Sequence, residues 1–501
     1  MDTINHLLQG FAIASTGWNL LYCLIGVTMG MFVGIMPGFG PVAGTAILIP
    51  LTFSMSPVSA IIMLAGIYYG AMYGGTITSV LINVPGEAAS IVTCLDGYQM
   101  AKQGRAGTAL GVSAIGSFIG GTAAVVGLTF IAPWLARIAL RFGPPEFFSV
   151  MLLGMTMLIG MMGKSLIKGV IAALFGLLLA MFGDDPVSGS VRFSFGIMEM
   201  NSGVELVAIA MGLFGISEIF ICASEHLKRQ KSLEVKKLLP DKAEWGPTMG
   251  AIWRGSGVGF LVGMIPGTNS VIASLMSYAL EKKVAKDPSR FGKGAIEGVA
   301  GPETANNACA GAANIPLFTL GIPSSPTIAI LLGAFMMHGL APGPKLFQDN
   351  PDFVWGVIAS LYIGNIILLI MNLPMARLWA KVAQVPFEIL FPLIILFCLI
   401  GSYSVNNRLW DVGMMLVFGV IGYFMKKLDI PMAAVLLPFV LGRPIESSFV
   451  QSMLMSNGDL MIFLRRPISL GLMCFTALIV AGSIYSSLKH KREALTGDLE
   501  V

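Results

Sequence analysis

Apolar runs about twenty residues long, several cut by Pro-Gly pairs, limit what this chain can fold into more than any other feature. The stretch Gly294–Gly339, GAIEGVAGPETANNACAGAANIPLFTLGIPSSPTIAILLGAFMMHG, shows the problem most sharply. Its apolar content suits a membrane, yet Pro302, Pro316, Pro323 and Pro326 oppose one long helix. Between the breaks lie Glu303, Thr304, Asn306, Asn307, Asn314, Thr319, Ser324, Ser325 and Thr327. In hydrocarbon every backbone N–H and C=O needs a partner, so broken backbone survives only inside protein or beside a watery cavity. Polar side chains at that depth carry the same cost. The density of breaks beside amides favours a substrate or ion site made from interrupted helices over Pro-kinked packing of small residues.

Only 12% of the 501 residues are charged and 55% are hydrophobic, with a mean hydropathy of +0.81. Soluble domains carry about 25% charged residues, so the expected class is an all-α polytopic membrane protein. A β-barrel would alternate in short segments instead. The net charge of +4 is small and resides in loops, which indicates no nucleic-acid partner. Six scattered cysteines lack metal or disulfide spacing, and the four histidines form no cluster. There is no Walker A, HExxH or GxSxG motif, so neither an enzyme nor a nucleotide-driven pump is expected. Residues 1–17 lack a basic n-region, and no cleavable signal is expected.

The chain repeats itself. Val33-Gly-Ile-Met-Pro-Gly38 matches Val262-Gly-Met-Ile-Pro-Gly267, and Gly74-Gly-Thr-Ile…Asn83-Val-Pro85-Gly86 lines up with Ala312-Ala-Asn-Ile…Gly321-Ile-Pro323-Ser324. Pro144-Pro-Glu146 corresponds to Pro386-Phe-Glu388, and Phe175-Gly176 to Phe418-Gly419. Four matches in order imply a duplication with small insertions. The expected organisation is a first membrane repeat at 1–223, a basic cytoplasmic linker at 224–249, a second repeat at 250–466, and an extra transmembrane helix with a cytoplasmic tail at 467–501. Asp184-Asp185 falls where the second half has Lys426-Lys427, and the uncharged Ser54–Pro57 turn falls where it has the basic Glu281–Lys293 loop. Basic short loops mark the cytoplasm, so the halves are read as inverted-topology repeats. Arg137 and Arg141 against Arg377 and Lys381 run against that reading, since both loops are basic. Several segments are too short to span as one straight helix and are expected as discontinuous helices or re-entrant hairpins.

The chemistry expected at the breaks follows from backbone physics. Pro37 removes a donor, and Gly38 and Gly40 can free neighbouring carbonyls and amides. A half-helix beginning at Thr268, Asn269 and Ser270 offers unpaired N–H groups and partial positive charge to a carboxylate, or these residues simply cap it. Second breaks are expected at Gly74-Gly75-Thr76 with Asn83–Ser90, and at Pro302–Asn307 with Gly321–Pro326. Glu87 and Glu303, the nearest acids, could each neutralise a cation, carry a proton or cap a helix. Asp96-Gly97-Tyr98 with Lys102 and Arg105 reads as a loop closing a hairpin, its charges solvated.

Taken together, Gly34–Gly40, Gly66-Ile-Tyr-Tyr-Gly-Ala-Met-Tyr-Gly-Gly-Thr76, Asn83-Val-Pro-Gly86, Asp96-Gly97-Tyr98, Pro302-Glu-Thr-Ala-Asn-Asn-Ala308 and Leu320-Gly-Ile-Pro-Ser-Ser325 resemble the large membrane subunit of the bacterial tripartite tricarboxylate transporters. The resemblance covers nearly the whole chain. It implies import of a di- or tricarboxylate across the bacterial inner membrane by alternating access, with Na⁺ or H⁺ as coupling ion and no other cofactor. It further implies a small membrane subunit and a periplasmic solute-binding protein as partners. Ser324-Ser325 departs from the Gly-Ser common in the family, so citrate does not follow as substrate. The expected substrate-binding residues are Pro37, Gly38, Gly75, Thr76, Pro85, Gly86, Gly267, Thr268, Asn269, Asn306, Asn307, Pro323, Ser324 and Ser325. Gly34, Gly38, Gly263, Gly267 and Asn314 are the expected Na⁺ ligands. The rival readings are a passive anion channel and a membrane scaffold that does not itself transport.

Overall fold

A computed structural model of the chain describes residues 2–36, 38–161, 165–225, 234, 235, 237–383, 385 and 387–497. Pro37, Pro386 and residues 226–233 and 236 of the basic linker lie outside them. The described chain is helical almost throughout; its one sheet pairs Gly183–Asp184 antiparallel with Val191–Arg192. Among the described residues seven helices are long and apolar enough to cross a membrane. Leu24, Phe130, Trp134, Leu174, Trp253 and Leu261 are exposed on the outer surface, as expected where hydrocarbon replaces water. This is a multi-pass membrane protein.

Two helix pairs frame the molecule. In the first half α1 (Gly17–Ile35) ends at the Pro-Gly turn, α2 (Gly40–Leu48) follows it, and α3 (Pro57–Ile82) returns along α1. After α3 a short turn leads into α4 (Ile91–Met100) and the long α5 (Ala106–Ala139). The half closes with α6 (Ser217–Glu225). In the second half α7 (Trp245–Gly263) ends at its own Pro-Gly turn, followed by α8 (Ser270–Val284), α9 (Glu297–Ala312), α10 (Asn314–Leu320) and α11 (Pro326–Met337). Farther on lies α12 (Leu409–Lys427). The pairings of α1 with α3 and of α7 with α9 are the most extensive in the structure.

Glycine explains both pairings. A Cβ at Gly26, Gly30 or Gly34 of α1 would overlap the carbonyl oxygens of Met63, Ile67 and Ala71 on α3. A Cβ at Gly255, Gly259 or Gly263 of α7 would overlap the carbonyls of Gly301, Ala305 and Cys309 on α9. The register is the same in both halves: every glycine shifts by one constant offset (34 to 263), and every carbonyl by another (71 to 309). Bare backbone at every fourth residue lets two helices approach to van der Waals contact, which is how association proceeds where lipid removes the hydrophobic drive.

Three expectations need correction. Gly74-Gly75-Thr76 is not a break: α3 runs unbroken to Ile82, and Gly74 is there because α1 backbone at Met31 and Gly34 lies against it. Pro302–Asn307 is not a break either. Pro302 sits inside a continuous α9, where it forgoes one rung of the hydrogen-bond ladder without ending the helix, and its carbonyl accepts from Ser274 Oγ at 3.1 Å. Asp96 is not on a solvated loop. It lies in α4, fully buried, where Oδ1 accepts the Gly294 and Ala295 amides at 2.7 and 2.8 Å and Oδ2 accepts the Tyr278 hydroxyl at 2.9 Å. It ties α4 to the turn that precedes α9.

Candidate functional site

Each half supplies two real breaks. At the first, α1 stops at Ile35 and α2 starts at Gly40; Gly38 and Gly40 hold φ of 88° and 59°. Its counterpart has Gly267 at φ 82° between α7 and α8. Such backbone is cheap only for glycine. The second breaks also correspond. Asn83 at φ 57° ends α3, and Gly321 at φ 69° ends α10. Four residues on, Glu87 caps the turn Ala88–Ser90 that enters α4, and Ser325 caps α11. In the first half the Gly86 N–H donates to the Gly75 carbonyl at 3.4 Å, and in the second the Ser324 hydroxyl donates to the Ala313 carbonyl at 3.3 Å.

All four helix starts line one cavity of about 550 Å³. Gly38 to Val42 bring the start of α2, Pro85 to Ala88 the turn into α4, Asn269 to Val271 the start of α8, and Ser325 to Thr327 that of α11. Three of the starts carry a side-chain cap. Asn269 accepts from the Ile272 amide at 3.1 Å, Ser325 from the Ile328 amide at 3.3 Å, and Glu87 from the Ala89 amide at 2.9 Å. The start of α2, preceded by Phe39, has none. Tyr68, Met72, Ile91, Phe214, Lys426 and Ala433 complete the wall. Each helix start adds about half a positive charge to the wall, set against the Glu87 carboxylate in the same lining. The cavity's volume falls within the range of small-molecule sites.

Behind this wall runs a buried polar chain. Glu87 Oε1 accepts from the Asn306 amide at 2.9 Å. Glu303, in the middle of α9, accepts from the Thr76 hydroxyl at 2.6 Å and from that of Thr93, which joins α9 to α3 and α4. Asn307 donates to Ser117 Oγ at 2.7 Å. The Oδ1 atoms of Asn306 and Asn307 have no hydrogen-bond partner among the described residues, and neither Glu87 nor Glu303 forms an ion pair among them. On the other flank, Lys426 Nζ lies 2.6 Å from Glu218 Oε2, and a Cβ on Gly38 would overlap that same carboxylate.

Of the expected binding residues, the cavity brings together Gly38, Pro85, Gly86, Asn269 and Ser325. Gly75, Thr76, Asn306 and Asn307 stand in the layer behind. Gly267, Thr268, Pro323 and Ser324 shape the turns; the Thr268 hydroxyl, for instance, donates to the Val262 and Ile265 carbonyls at 2.5 and 2.8 Å. Of the expected Na⁺ ligands only Gly38 lines the cavity. A Cβ on Gly34 or Gly263 would overlap a carbonyl of the paired helix, and the Asn314 amide donates to the Ala310 and Gly311 carbonyls at 3.2 Å each. Sequence reasoning missed Tyr68 and Lys426. The repeat aligns Tyr68 with Asn306 and would have found it; Lys426 served only as a marker of sidedness.

The chain is similar to known proteins along most of its length. Residues 20–437 match the family model described as Tripartite tricarboxylate transporter TctA family. An uncharacterized 52.8 kDa protein in the TAR-I ttuC' 3'region of Agrobacterium vitis is 44% identical over 494 residues, 98% of each chain. A second uncharacterized protein, in the TAR-II ttuC' 3'region of the same organism, is 44% identical over 235 residues, 47% of this chain and 97% of its own length. No solved structure matches.

Proposed function

This chain belongs to the tripartite tricarboxylate transporter TctA family, and from that premise we propose that it imports a di- or tricarboxylate through the cavity between its helix breaks, coupled to Na⁺ or H⁺. The observation that carries the reading is the meeting of four helix starts on one cavity. Partial charges of about +0.5 each amount to roughly two positive charges, a fair match for a dicarboxylate and short of a tricarboxylate. Gly38, Pro85, Gly86, Asn269 and Ser325 contact the anion. Thr76, Asn306 and Asn307 hold the layer behind, and Gly267, Thr268, Pro323 and Ser324 hold the turns.

Cation coupling is favoured by Glu87 and Glu303. An ionised carboxylate buried without a cation costs several kcal/mol, so each takes up a proton or faces a bound metal ion during the cycle. Glu87 borders the anion's own cavity, and a substrate carboxylate beside it is tolerated only once that charge is neutralised. Anion and cation thereby favour one another, which is the thermodynamic content of symport. The equal register of the two helix pairs is what a duplicated transporter would retain, and we read the halves as inverted-topology repeats working by alternating access. The chain works in the bacterial inner membrane with a small membrane subunit, receiving the anion from a periplasmic solute-binding protein.

The test is uptake of labelled citrate and succinate into proteoliposomes holding this chain and its small subunit, with and without the binding protein and a Na⁺ or pH gradient. Saturable uptake driven by a cation gradient, and lost in an Asn269→Ala/Ser325→Ala double variant, is expected. Flux that neither saturates nor responds to either gradient would mean a channel. Uptake indifferent to straightening the Pro-Gly turns to Ala-Ala would mean a scaffold.

A further inference from the structure

Lys426 contributes the only side-chain cation among the described residues lining the cavity. It sits in the last turn of α12, with its ammonium 2.6 Å from Glu218 Oε2 on α6. Its neighbour Lys427 is engaged differently, its Nζ 4.6 Å from the centre of the Tyr423 ring. The Glu218 side chain is nearly buried and its carboxylate is pressed against the bare Cα of Gly38, at the one helix start that no side chain caps. The Lys426 side chain is 42% exposed. One end of the cavity therefore presents uncapped amides and an ammonium close together, with an internal carboxylate already bound to that ammonium.

We propose that Lys426 receives a carboxylate of the substrate, in exchange for the carboxylate of Glu218. The inference rests on the reading of the cavity as the carboxylate site and adds to it a specificity-determining residue. The charges require something of this kind. With Glu87 neutralised by its proton or cation and Lys426 paired with Glu218, the helix starts alone face the substrate, and their partial charges suffice only for an anion of low valence. An ammonium released from Glu218 adds a full positive charge at the α2 end, where the amides are free to share the same carboxylate. Glu218 keeps its place against Gly38 and its contact with Cys222 Sγ, and the full positive charge released counts for more with the substrate that carries more carboxylates.

Initial rates of citrate and succinate uptake by the proteoliposome complex, measured for wild type, Lys426→Gln, Glu218→Gln, Lys426→Gln/Glu218→Gln and Lys426→Arg, decide the matter. Lys426→Gln and the double variant should each raise KM on the order of 10- to 100-fold, the size of one charge-assisted contact. The rise should be greater for citrate than for succinate, with kcat changed far less. Lys426→Arg should stay near wild type, and Glu218→Gln should leave KM unchanged or lower it. A double variant with wild-type KM would show that the pair only braces α6 against α12, and would overturn the proposal. So would an unchanged KM in Lys426→Gln, or a Glu218→Gln variant as impaired as Lys426→Gln. Where Lys426→Gln does not yield a monodisperse protein, the double variant, which removes both charges of the pair together, carries the comparison. Wild-type protein that takes up neither anion would refute the carboxylate reading itself, and this proposal with it.

Discussion

The two halves of the molecule share a backbone and differ in chemistry. Their helix pairs interlock in one register, with glycines at 26, 30 and 34 in one and 255, 259 and 263 in the other. The second breaks turn on left-handed residues, Asn83 and Gly321, and end on caps, Glu87 and Ser325. The side chains at matching places have diverged. An acid caps one turn and a hydroxyl the other; Phe39 precedes an uncapped helix where Asn269 caps its own. Tyr68 and Tyr69 stand where the second half has Asn306 and Asn307. Interlocked backbone tolerates no substitution, whereas a helix start needs only some group, or a ligand, for its amides. The frame is therefore held constant while the lining is free to become asymmetric, as a site for an asymmetric pair of ions requires.

The comparison can be broken most forcefully at the glycines. Gly30→Ala and Gly259→Ala should be equally ruinous, each costing about 3 kcal/mol through overpacking against backbone that cannot move aside. Yield of monodisperse protein and thermal unfolding in detergent would measure it. One variant tolerated and the other not would mean that the frames are not equivalent. Next in size is Glu87→Ser, which gives the first half the cap of the second. It should preserve folding yet lower cation-driven uptake by about tenfold or more, the worth of a contact to a charged group, while Ser325→Ala costs only a few-fold.

A smaller effect is expected at the first breaks. Asn269→Ala should lower stability by about 1 kcal/mol through loss of the cap. Thermal melts with and without citrate would measure it. Least of all, Asn83→Gly should change stability by less than about 1 kcal/mol, relief of left-handed strain opposing the greater freedom of the unfolded chain.

The membrane class and the Pro-Gly turns at Gly34–Gly40 and Gly263–Ser270 were legible in the sequence, because proline and glycine together leave a helix few ways to continue. Gly74-Gly75 and Pro302 misled for a physical reason. A glycine within an apolar run reads alike as a place where a helix ends and as a place where another helix comes close, and only the partner tells which. The spacing of four residues in Gly26, Gly30 and Gly34, met by Gly66, Gly70 and Gly74, carried that information and favoured close approach. Asp96 looked solvated beside Lys102 and Arg105, but its acceptors are filled by amides about 200 positions away in the chain, at Gly294 and Ala295. Lys426 was indistinguishable from Lys427 until the fold placed one on the cavity and the other over a tyrosine ring.

The glycine contacts also limit how the protein can move. Helices meshed at three successive glycines, four residues apart, cannot creep along one another; the next meshed position lies a full four-residue jump away, about 6 Å of travel. Each pair must therefore shift as a single plank, carrying its Pro-Gly turn and half of the cavity wall with it. Whatever opens the cavity to one side and then the other has to hinge at the edges of these planks.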